Sequence, residues 1–321
     1  MNSIDELRCI INEELAKIKY PNEPSLLYNP IKYILDSKGK RIRSVLTLIA
    51  YQLFKKDINE AVPAALAIEI FHNFTLLHDD IMDKAPIRRG YPTVHEKWNK
   101  NIAILSGDTM LIRSYQLMGK VNKKFLNKTL SIFNETAIKV CEGQQWDMDF
   151  ESLNKVTISR YLKMIEYKTS ALLSAALSIG ALLAGANKKD QNNLYEFGKN
   201  IGIAFQLKDD LLDSFGNSST FGKKVGGDIL GNKKTFLYLK ALELSNKSQR
   251  RCLLNYYSSN KNTDSKVKKV KDIFMQLNIP KYTMDLIHQY HKKSIENLSG
   301  VKSTRKKILS DFSNLLLDRE N

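Results

Sequence analysis

Residues 171–185 read ALLSAALSIGALLAG, and the whole interval between Lys168 and Lys188 carries no charged side chain. An uncharged apolar run of this kind has two homes: a bilayer, which takes about 20 apolar residues to cross, or the interior of a large helical core. Ser174, Ser178 and many Ala and Gly residues dilute its hydrophobicity. Small side chains on every face are what a helix enclosed by other helices requires. The run therefore reads as a buried helix, and the chain as an all-α protein with no transmembrane segment.

Outward from that run, apolar residues recur at three- and four-residue spacing in Ile4 to Ile18, Val45 to Phe54, Ala61 to Leu77, Thr129 to Val140, Tyr161 to Leu183, Leu194 to Leu212 and Phe236 to Leu244. Convincing alternating strands are absent. Short polar joints fall at Asp36 to Lys40, Lys84 to Pro92, Lys120 to Asn127, Asn187 to Asn192 and Asn217 to Gly231. No fixed-period repeat is visible, which argues against a solenoid.

Among 321 residues there are only 15 Gly and 7 Pro, with no Pro-rich or Ser/Gly-rich linker. One domain over residues 1–321 is therefore expected. A content of 43% apolar and 26% charged residues excludes a disordered chain. Cys9, Cys141 and Cys252 lie far apart with no Cys-x-x-Cys spacing, which excludes a disulfide framework and a thiolate metal site and fits a reducing compartment. Asp5, Glu6, Arg8, Glu13 and Glu14 break up the first apolar pattern, so the N-terminus reads as an amphipathic helix rather than an export signal, and a cytoplasmic location is expected.

Lys and Arg number 50 against 34 Asp and Glu, a net +16. Such a charge attracts polyanions. The excess is spread along the chain, although residues 251–321 hold 14 basic against 7 acidic residues, or +7. No zinc-finger spacing or RNA-binding aromatic signature accompanies it, so nucleic acid is not the expected partner. A solvated basic surface, or a small anionic substrate, accounts for the charge.

Two segments carry the chemistry: His78-Asp79-Asp80-Ile81-Met82-Asp83 and Lys208-Asp209-Asp210-Leu211-Leu212-Asp213. Each ends an apolar helical pattern with Asp-Asp-x-x-Asp spacing, which puts Asp79 with Asp83, and Asp209 with Asp213, on one helix face. One such motif could be a solvated helix end. Negative charge is unfavourable near a helix C-terminus, however, and two copies are harder to dismiss. Hard oxygen donors without His or Cys suit magnesium, which binds through a few carboxylates plus water and phosphate oxygens. Arg88 and Arg89 follow the first motif in a loop, and Lys38-Gly39-Lys40-Arg41-Ile42-Arg43 offers four cations in six residues. Seen alone, that run reads as a solvated face. Beside the aspartates, both sets suit bidentate contacts to a diphosphate.

The ordered set of motifs resembles the trans-isoprenyl diphosphate synthases of the polyprenyl synthetase family. DDIMD with its trailing RRG is similar to the first aspartate-rich motif, and DDLLD preceded by Phe205 and Gln206 to the second. Lys168-Thr169 resembles the Lys-Thr pair, and Glu142-Gly143-Gln144 with Asp147 the EGQ segment. Gly222-Lys223, Gly226-Gly227-Asp228-Ile229 and Lys233-Lys234-Thr235 resemble the later Gly-Lys, Gly-x-Asp and Lys-x-Thr elements. The likeness runs from about residue 25 to 240. It departs at the early Gly-Gly-Lys-Arg-x-Arg-Pro motif, where Lys38 stands at the first glycine and Ser44 at the proline. The tail over 245–321 reads as helical and basic, part of the same domain, with no chemistry assigned.

The resemblance implies an all-α, single-domain helical bundle around a central active-site cavity, acting as a prenyltransferase that joins isopentenyl diphosphate to an allylic diphosphate head to tail. It implies magnesium, three ions per active site, held by Asp79, Asp83 and Asp209 with Asp80, Asp210 and Asp213 completing or supporting the shells. Lys168, Lys223 and Lys233, with Arg88, would contact the allylic diphosphate, and Lys40, Arg43, Arg89 and His72 the isopentenyl diphosphate. His72 taken alone also reads as a packed core histidine. Thr169 and Gln206 would steady the carbocation by their dipoles. A homodimer is implied as well.

Product length is expected to be set on the helix leading into the first motif. Phe74 and Phe71 precede Asp79 by five and eight residues, about 7.5 and 12 Å along a helix. An aromatic at the nearer position resembles enzymes making fifteen- or twenty-carbon products, and the small Thr75 leans toward twenty. Both phenylalanines read equally as ordinary core. The rival readings are a class I terpene cyclase, which typically carries an Asn/Ser/Glu metal motif where this chain has DDLLD, a non-catalytic synthase subunit, which tends to lose the aspartates, and a basic protein that binds nucleic acid or a membrane surface.

Overall fold

A computed structural model describes every residue except 38, 154, 217–225, 259–262 and 318–321. In chain order the described helices begin with α1 (Ile4–Ala16), α2 (Ser25–Asp36), α3 (Ile42–Gln52) and α4 (Val62–Met82). A hairpin of β1 (Ile87–Arg88) and β2 (Tyr91–Pro92) follows, then α5 (Val94–Lys97), α6 (Lys100–Met118), α7 (Lys123–Ser152), α8 (Ile158–Ile165), a π turn (Glu166–Ser170), α9 (Ala171–Leu183) and α10 (Lys188–Phe215). The remainder is α11 (Gly227–Leu230), α12 (Phe236–Leu244), α13 (Lys247–Ser258), α14 (Asp264–Gln276), α15 (Ile279–Ser299) and α16 (Lys307–Leu317). The helical tail expected beyond residue 245 is present as α13 to α16.

The chain divides into two compact units, one of Met1–Ala137, Leu172–Tyr195 and Gly300–Leu309, the other of Ile138–Ala171, Glu196–Ser299 and Ser310–Asn321. In the first unit, α1 starts at a capping box: Ser3 Oγ accepts from the Glu6 N–H (3.2 Å) while the Glu6 carboxylate accepts from the Ser3 N–H (2.8 Å). Its buried stripe is Leu7, Ile11 and Leu15. α4 opens with Pro63, whose fixed φ suits a first helical turn. From Ala64 to Phe71 every residue of α4 is buried. The charge-free run is buried from Leu172 through Leu183, as expected for an enclosed helix. No helix among the described residues is long and apolar enough to cross a membrane.

Two helices are longer than periodicity predicts. α7 extends to 30 residues around the expected Thr129 to Val140, and α10 to 28 around Leu194 to Leu212. The polar residues read as joints are helix starts instead: Asn187 Oδ1 accepts from the Asp190 N–H at 2.9 Å, a side-chain cap. The loop over Lys84 to Pro92 holds a strand pair, Ile87 opposite Pro92 and Arg88 opposite Tyr91. Two-residue strands are too short to alternate visibly. Their connection is Arg89-Gly90, with φ of 54° and 82°, the positive pair that a type I′ turn requires.

Candidate active site

In the second unit, the last turns of α10 carry Gln206, Asp209, Asp210 and Asp213, a three-to-four spacing that lines them along one side of the helix. With Asp147 of α7, Tyr161 of α8, Lys168 and Thr169 of the π turn, and Asp228 and Lys233 further on, they line a cavity of about 190 Å³.

The π turn is why these groups meet. A single helix over Tyr161 to Leu183 was the expectation; the chain instead inserts an extra residue at Glu166–Ser170, and the Ala171 N–H bonds back to the Glu166 carbonyl, five residues earlier. A Cβ on Gly143 would come 2.3 Å from the Lys168 backbone nitrogen, and one on Gly202 2.7 Å from Ser170 Oγ. The turn is thus pressed between α7 and α10 at two positions where only hydrogen fits. One inserted residue leaves the apolar pattern nearly intact, so periodicity does not reveal it.

Lys168 Nζ then lies 2.6 Å from Asp147 Oδ2, and Lys233 Nζ 3.9 Å from the same oxygen. Burial pushes the Asp147 carboxyl up, but the two ammonium groups outweigh it and hold the acid below its ordinary range. The Thr169 hydroxyl donates to Gln206 Oε1 (2.9 Å), Gln206 Nε2 donates to Asp210 Oδ1 (3.0 Å), and the Tyr161 hydroxyl donates to Asp210 Oδ2. Burial, reinforced by Asp209 and Asp213 and only partly offset by the Tyr161 and Gln206 hydrogen bonds, pushes Asp210 up to about 7. Asp213 Oδ2 accepts from the Asp228 N–H at 2.9 Å. Asp228 is itself raised well above the usual carboxylate value by burial and then by Asp210 and Asp213. Lys234 turns away from this cluster, its ammonium donating to the Phe150 and Glu151 carbonyls at the end of α7.

In the first unit, Asp79 and Asp80 occupy the last turn of α4 and Asp83 is its C-cap. Asp80 is buried, and Arg88 on β1 grips it, with Nε 2.8 Å from each carboxylate oxygen and Nη2 2.7 Å from Oδ1; the same Nη2 is 3.8 Å from Asp79 Oδ2. Burial raises the Asp80 acid, and Arg88 offsets this only in part, so the acid stays above its ordinary range. Arg89 Nη1 donates to Ser37 Oγ at 2.9 Å.

The early cationic run does not act as one patch. Arg41 is buried with φ 50°, and its guanidinium donates to Glu69 Oε1 (3.0 Å), Asn12 Oδ1 (3.0 Å) and the Leu35 carbonyl (2.5 Å). Ser44, standing at the family's proline, reaches the same Glu69 through Oε2 at 2.9 Å, so the departure adds a partner to a buried ion pair. Lys40 is exposed. Arg43 Nη1 lies 3.0 Å from His72 Nε2. Burial, then Arg43, Arg89, Arg88 and Arg41, hold His72 well below 6.5, so the ring is neutral and accepts from Arg43. It is half-buried within an arginine cluster rather than packed in apolar core.

Phe71 is 1% exposed and packs edge-on against Phe133 (5.1 Å between ring centres) and near Phe74 (5.6 Å). Phe74 is half-buried beneath the His78 ring at 4.8 Å. The Thr75 hydroxyl donates to the His72 carbonyl (2.8 Å). Lys38 and the Gly222-Lys223 pair lie outside the described residues.

Among the described residues no group of three carboxylate, His or Cys side chains could hold a metal ion by itself. Magnesium does not require such a cage, because water and phosphate oxygens complete its shell. The donors present, aspartates facing lysines and arginines, fit that chemistry. Sequence reading missed Tyr161 and gave Asp147 and Asp228 no role in the site; Tyr161 lies 49 residues from the aspartate it bonds, with no local spacing to announce it.

An all-helical scaffold with two carboxylate motifs and facing cations defines an enzyme class that handles diphosphate esters. Residues 24–274 match the family model described as Polyprenyl synthetase. The short chain isoprenyl diphosphate synthase of Methanocaldococcus jannaschii is 38% identical over 311 residues, 96% of this chain and 93% of that protein. The geranylgeranyl diphosphate synthase of Sulfolobus acidocaldarius is 38% identical over 94% of this chain and 92% of its own length. A crystal structure of geranylgeranyl pyrophosphate synthase superposes with a TM-score of 0.95 at 45% identity, covering 100% of both chains. The chain belongs to the polyprenyl synthetase family and is an isoprenyl diphosphate synthase with the helical-bundle fold of that family. The cyclase and non-catalytic readings are not favoured. The match runs past the expected limit near residue 240, through most of α14.

Proposed function

We propose that the chain condenses isopentenyl diphosphate with dimethylallyl, geranyl and farnesyl diphosphates, ending at a C20 trans-prenyl diphosphate. The observation that carries this reading is the row Thr169, Gln206 and Asp210, which sets the Thr169 hydroxyl and the Gln206 amide as neutral dipoles beside a carboxylate cluster. In the reaction the allylic C–O bond breaks with its electron pair leaving on the diphosphate. The isopentenyl double bond forms the new C–C bond, and the departing diphosphate takes the proton that restores an alkene.

Asp79 and Asp83, supported by Asp80, would hold magnesium at the first motif, and Asp209, supported by Asp210 and Asp213, at the second, with three ions in all. When bound, magnesium neutralises the diphosphate and makes it a better leaving group. Lys168, Lys233, Lys223 and Arg88 bind the allylic diphosphate; Lys40, Arg43, Arg89 and His72 bind the isopentenyl diphosphate. A neutral His72 that accepts from Arg43 keeps a proton on Nδ1 for donation. Thr169 and Gln206 stabilise the cation through oriented dipoles, the kind of preorganised electrostatics that lowers such barriers.

A twenty-carbon product is supported by the relatives named geranylgeranyl synthases and by Phe74 one turn and a half below Asp79. Exposed Ile104, Leu105 and Ile112 on α6 support a homodimer. The chain works as one domain over 1–321 in the cytoplasm. The test is a magnesium-dependent assay of purified protein with isopentenyl diphosphate and each allylic starter, reading product length by chromatography. A C20 product with diphosphate release is expected; a C15 end product would overturn the length, and no product from folded protein would overturn the activity.

A further inference from the structure

The helix α14 lies in the tail to which sequence reading assigned no chemistry, yet it holds a lysine that is 1% exposed. Lys266 Nζ donates to Asn232 Oδ1 at 2.6 Å and to the Leu230 carbonyl at 3.4 Å, and stands 5.7 Å from the centre of the Tyr257 ring. Among the described residues no carboxylate forms an ion pair with it. A buried ammonium held only by neutral acceptors is costly to desolvate, so an apolar side chain would pack there at lower cost, and the lysine calls for a reason.

Its two acceptors bracket the point where α11 ends and the chain turns toward Lys233. Leu230 is the last residue of α11, and a lysine on a terminal carbonyl satisfies a group that the helix leaves open. Asn232 has φ 56°, a left-handed conformation that asparagine tolerates better than most residues and that here presents its side-chain oxygen to Lys266. The next residue is Lys233, whose N–H bonds to the Asp228 carbonyl (2.9 Å) and whose ammonium faces Asp147. The other end of the loop is fixed as well. Gly226, with φ 88°, donates to the Asp213 carbonyl at 2.6 Å, and a Cβ there would come 2.6 Å from Val267, the neighbour of Lys266. Residues 226–233 are therefore pinned to the second aspartate motif at one end and to α14 at both.

We propose that Lys266 is a positioning residue for the allylic diphosphate: its buried ammonium fixes Leu230 and Asn232 and so aims Lys233 into the cavity. This rests on the catalytic reading given above. Lys266 does not touch substrate, so its removal loosens one diphosphate contact and leaves the isopentenyl site intact.

The test compares the full-length wild type with Lys266→Met, which keeps the length and removes the charge, with Lys266→Arg, and with Asn232→Gly, which keeps the left-handed backbone and removes the acceptor. Steady-state kinetics are read for each substrate in turn, and binding of a non-ionisable allylic thiolodiphosphate with magnesium is read by calorimetry. Lys266→Met is expected to raise the allylic KM and weaken analogue binding roughly tenfold, about 1.4 kcal/mol. The isopentenyl KM should stay within twofold, and Arg should restore part of the loss. Asn232→Gly should reproduce the same split, which keeps the test decisive if Lys266→Met fails to fold. An equal rise in both KM values, or unchanged allylic binding in a folded variant, would overturn the proposal. A wild-type protein that neither turns over nor binds the analogue would overturn the catalytic reading itself.

Discussion

The two aspartate motifs share one spacing and end matching helices, yet their middle carboxylates are held in opposite ways. Asp80 faces a guanidinium, with Arg88 contacting both of its oxygens. Asp210 faces neutral donors, Tyr161 and Gln206, in a cavity crowded with further carboxylates. The first unit gathers arginines around a histidine that stays neutral; the second gathers acids around an aspartate that holds its proton toward pH 7. The repeated motif fixes where carboxylates stand, and the surroundings decide which of them carry charge.

If both motifs hold magnesium, they should fail alike. Asp79→Ala and Asp209→Ala are each expected to lower kcat about 10³-fold, the scale of losing a principal electrostatic contact to the developing charge. Neither aspartate packs core, so melting by circular dichroism should remain cooperative and near the wild-type midpoint. Near-native activity in one variant alone would break the equivalence and leave that motif structural.

The next contrast is mechanical. The first site is assembled by ion pairs between a helix and a hairpin, the second by backbone contact at Gly143. Gly143→Ala must displace the Lys168 backbone, at a cost of about 1–3 kcal/mol in stability, and should lower kcat by shifting Lys168 and Thr169 together. Denaturant midpoints and single-turnover rates read the two effects. A variant that is stable and fully active would mean that the π turn adapts, and that Gly143 does not set the site.

How much of this was legible in the sequence follows from the range of each signal. The aspartate pairs are local patterns on apolar helices, and both were placed at helix ends in advance. The charge-free run gave away its burial because composition alone distinguishes a small-residue core helix from a membrane span. The π turn was hidden because one inserted residue barely disturbs the apolar period. The roles of Arg41 and Tyr161 were hidden because their partners lie 28 and 49 residues away, and nothing in local spacing separates a buried arginine from an exposed one. Ser44 looked like a loss against the family's proline and is instead a third member of the Arg41–Glu69 pair.

Opposite surroundings also predict opposite pH slopes. His72 lies below 6.5 when folded, so as pH falls under 6.5 the unfolded chain takes up a proton that the native state refuses, and stability is lost toward acid. Asp210 runs the other way. Between 3.8 and about 7 the native state holds the proton that the unfolded chain has released, so stability falls as pH rises through that window and levels off above it. Each slope is at most about 1.4 kcal/mol per pH unit. The two slopes oppose each other over much of the same window, so in urea unfolding in chelator from pH 4 to 8 His72→Gln should gain stability toward acid relative to wild type and Asp210→Asn should lose it. Parallel wild-type and variant curves would show that the two clusters do not differ in protonation.

The last contrast separates the two phenylalanines of α4. Phe71 is sealed against Phe133, so Phe71→Ala should act on stability, costing about 3–5 kcal/mol as a large core truncation. Phe74 is half-buried and nearer Asp79, and truncating it opens space on the side from which a growing chain would descend from the diphosphate. Phe74→Ala is expected to cost roughly half as much in stability and to lengthen the end product by at least one five-carbon unit, read by chromatography of the hydrolysed prenols. The same product from Phe74→Ala, with a longer one from Phe71→Ala, would reverse the order along the helix and put the floor one turn deeper. An unchanged product from both would move the floor off these two positions.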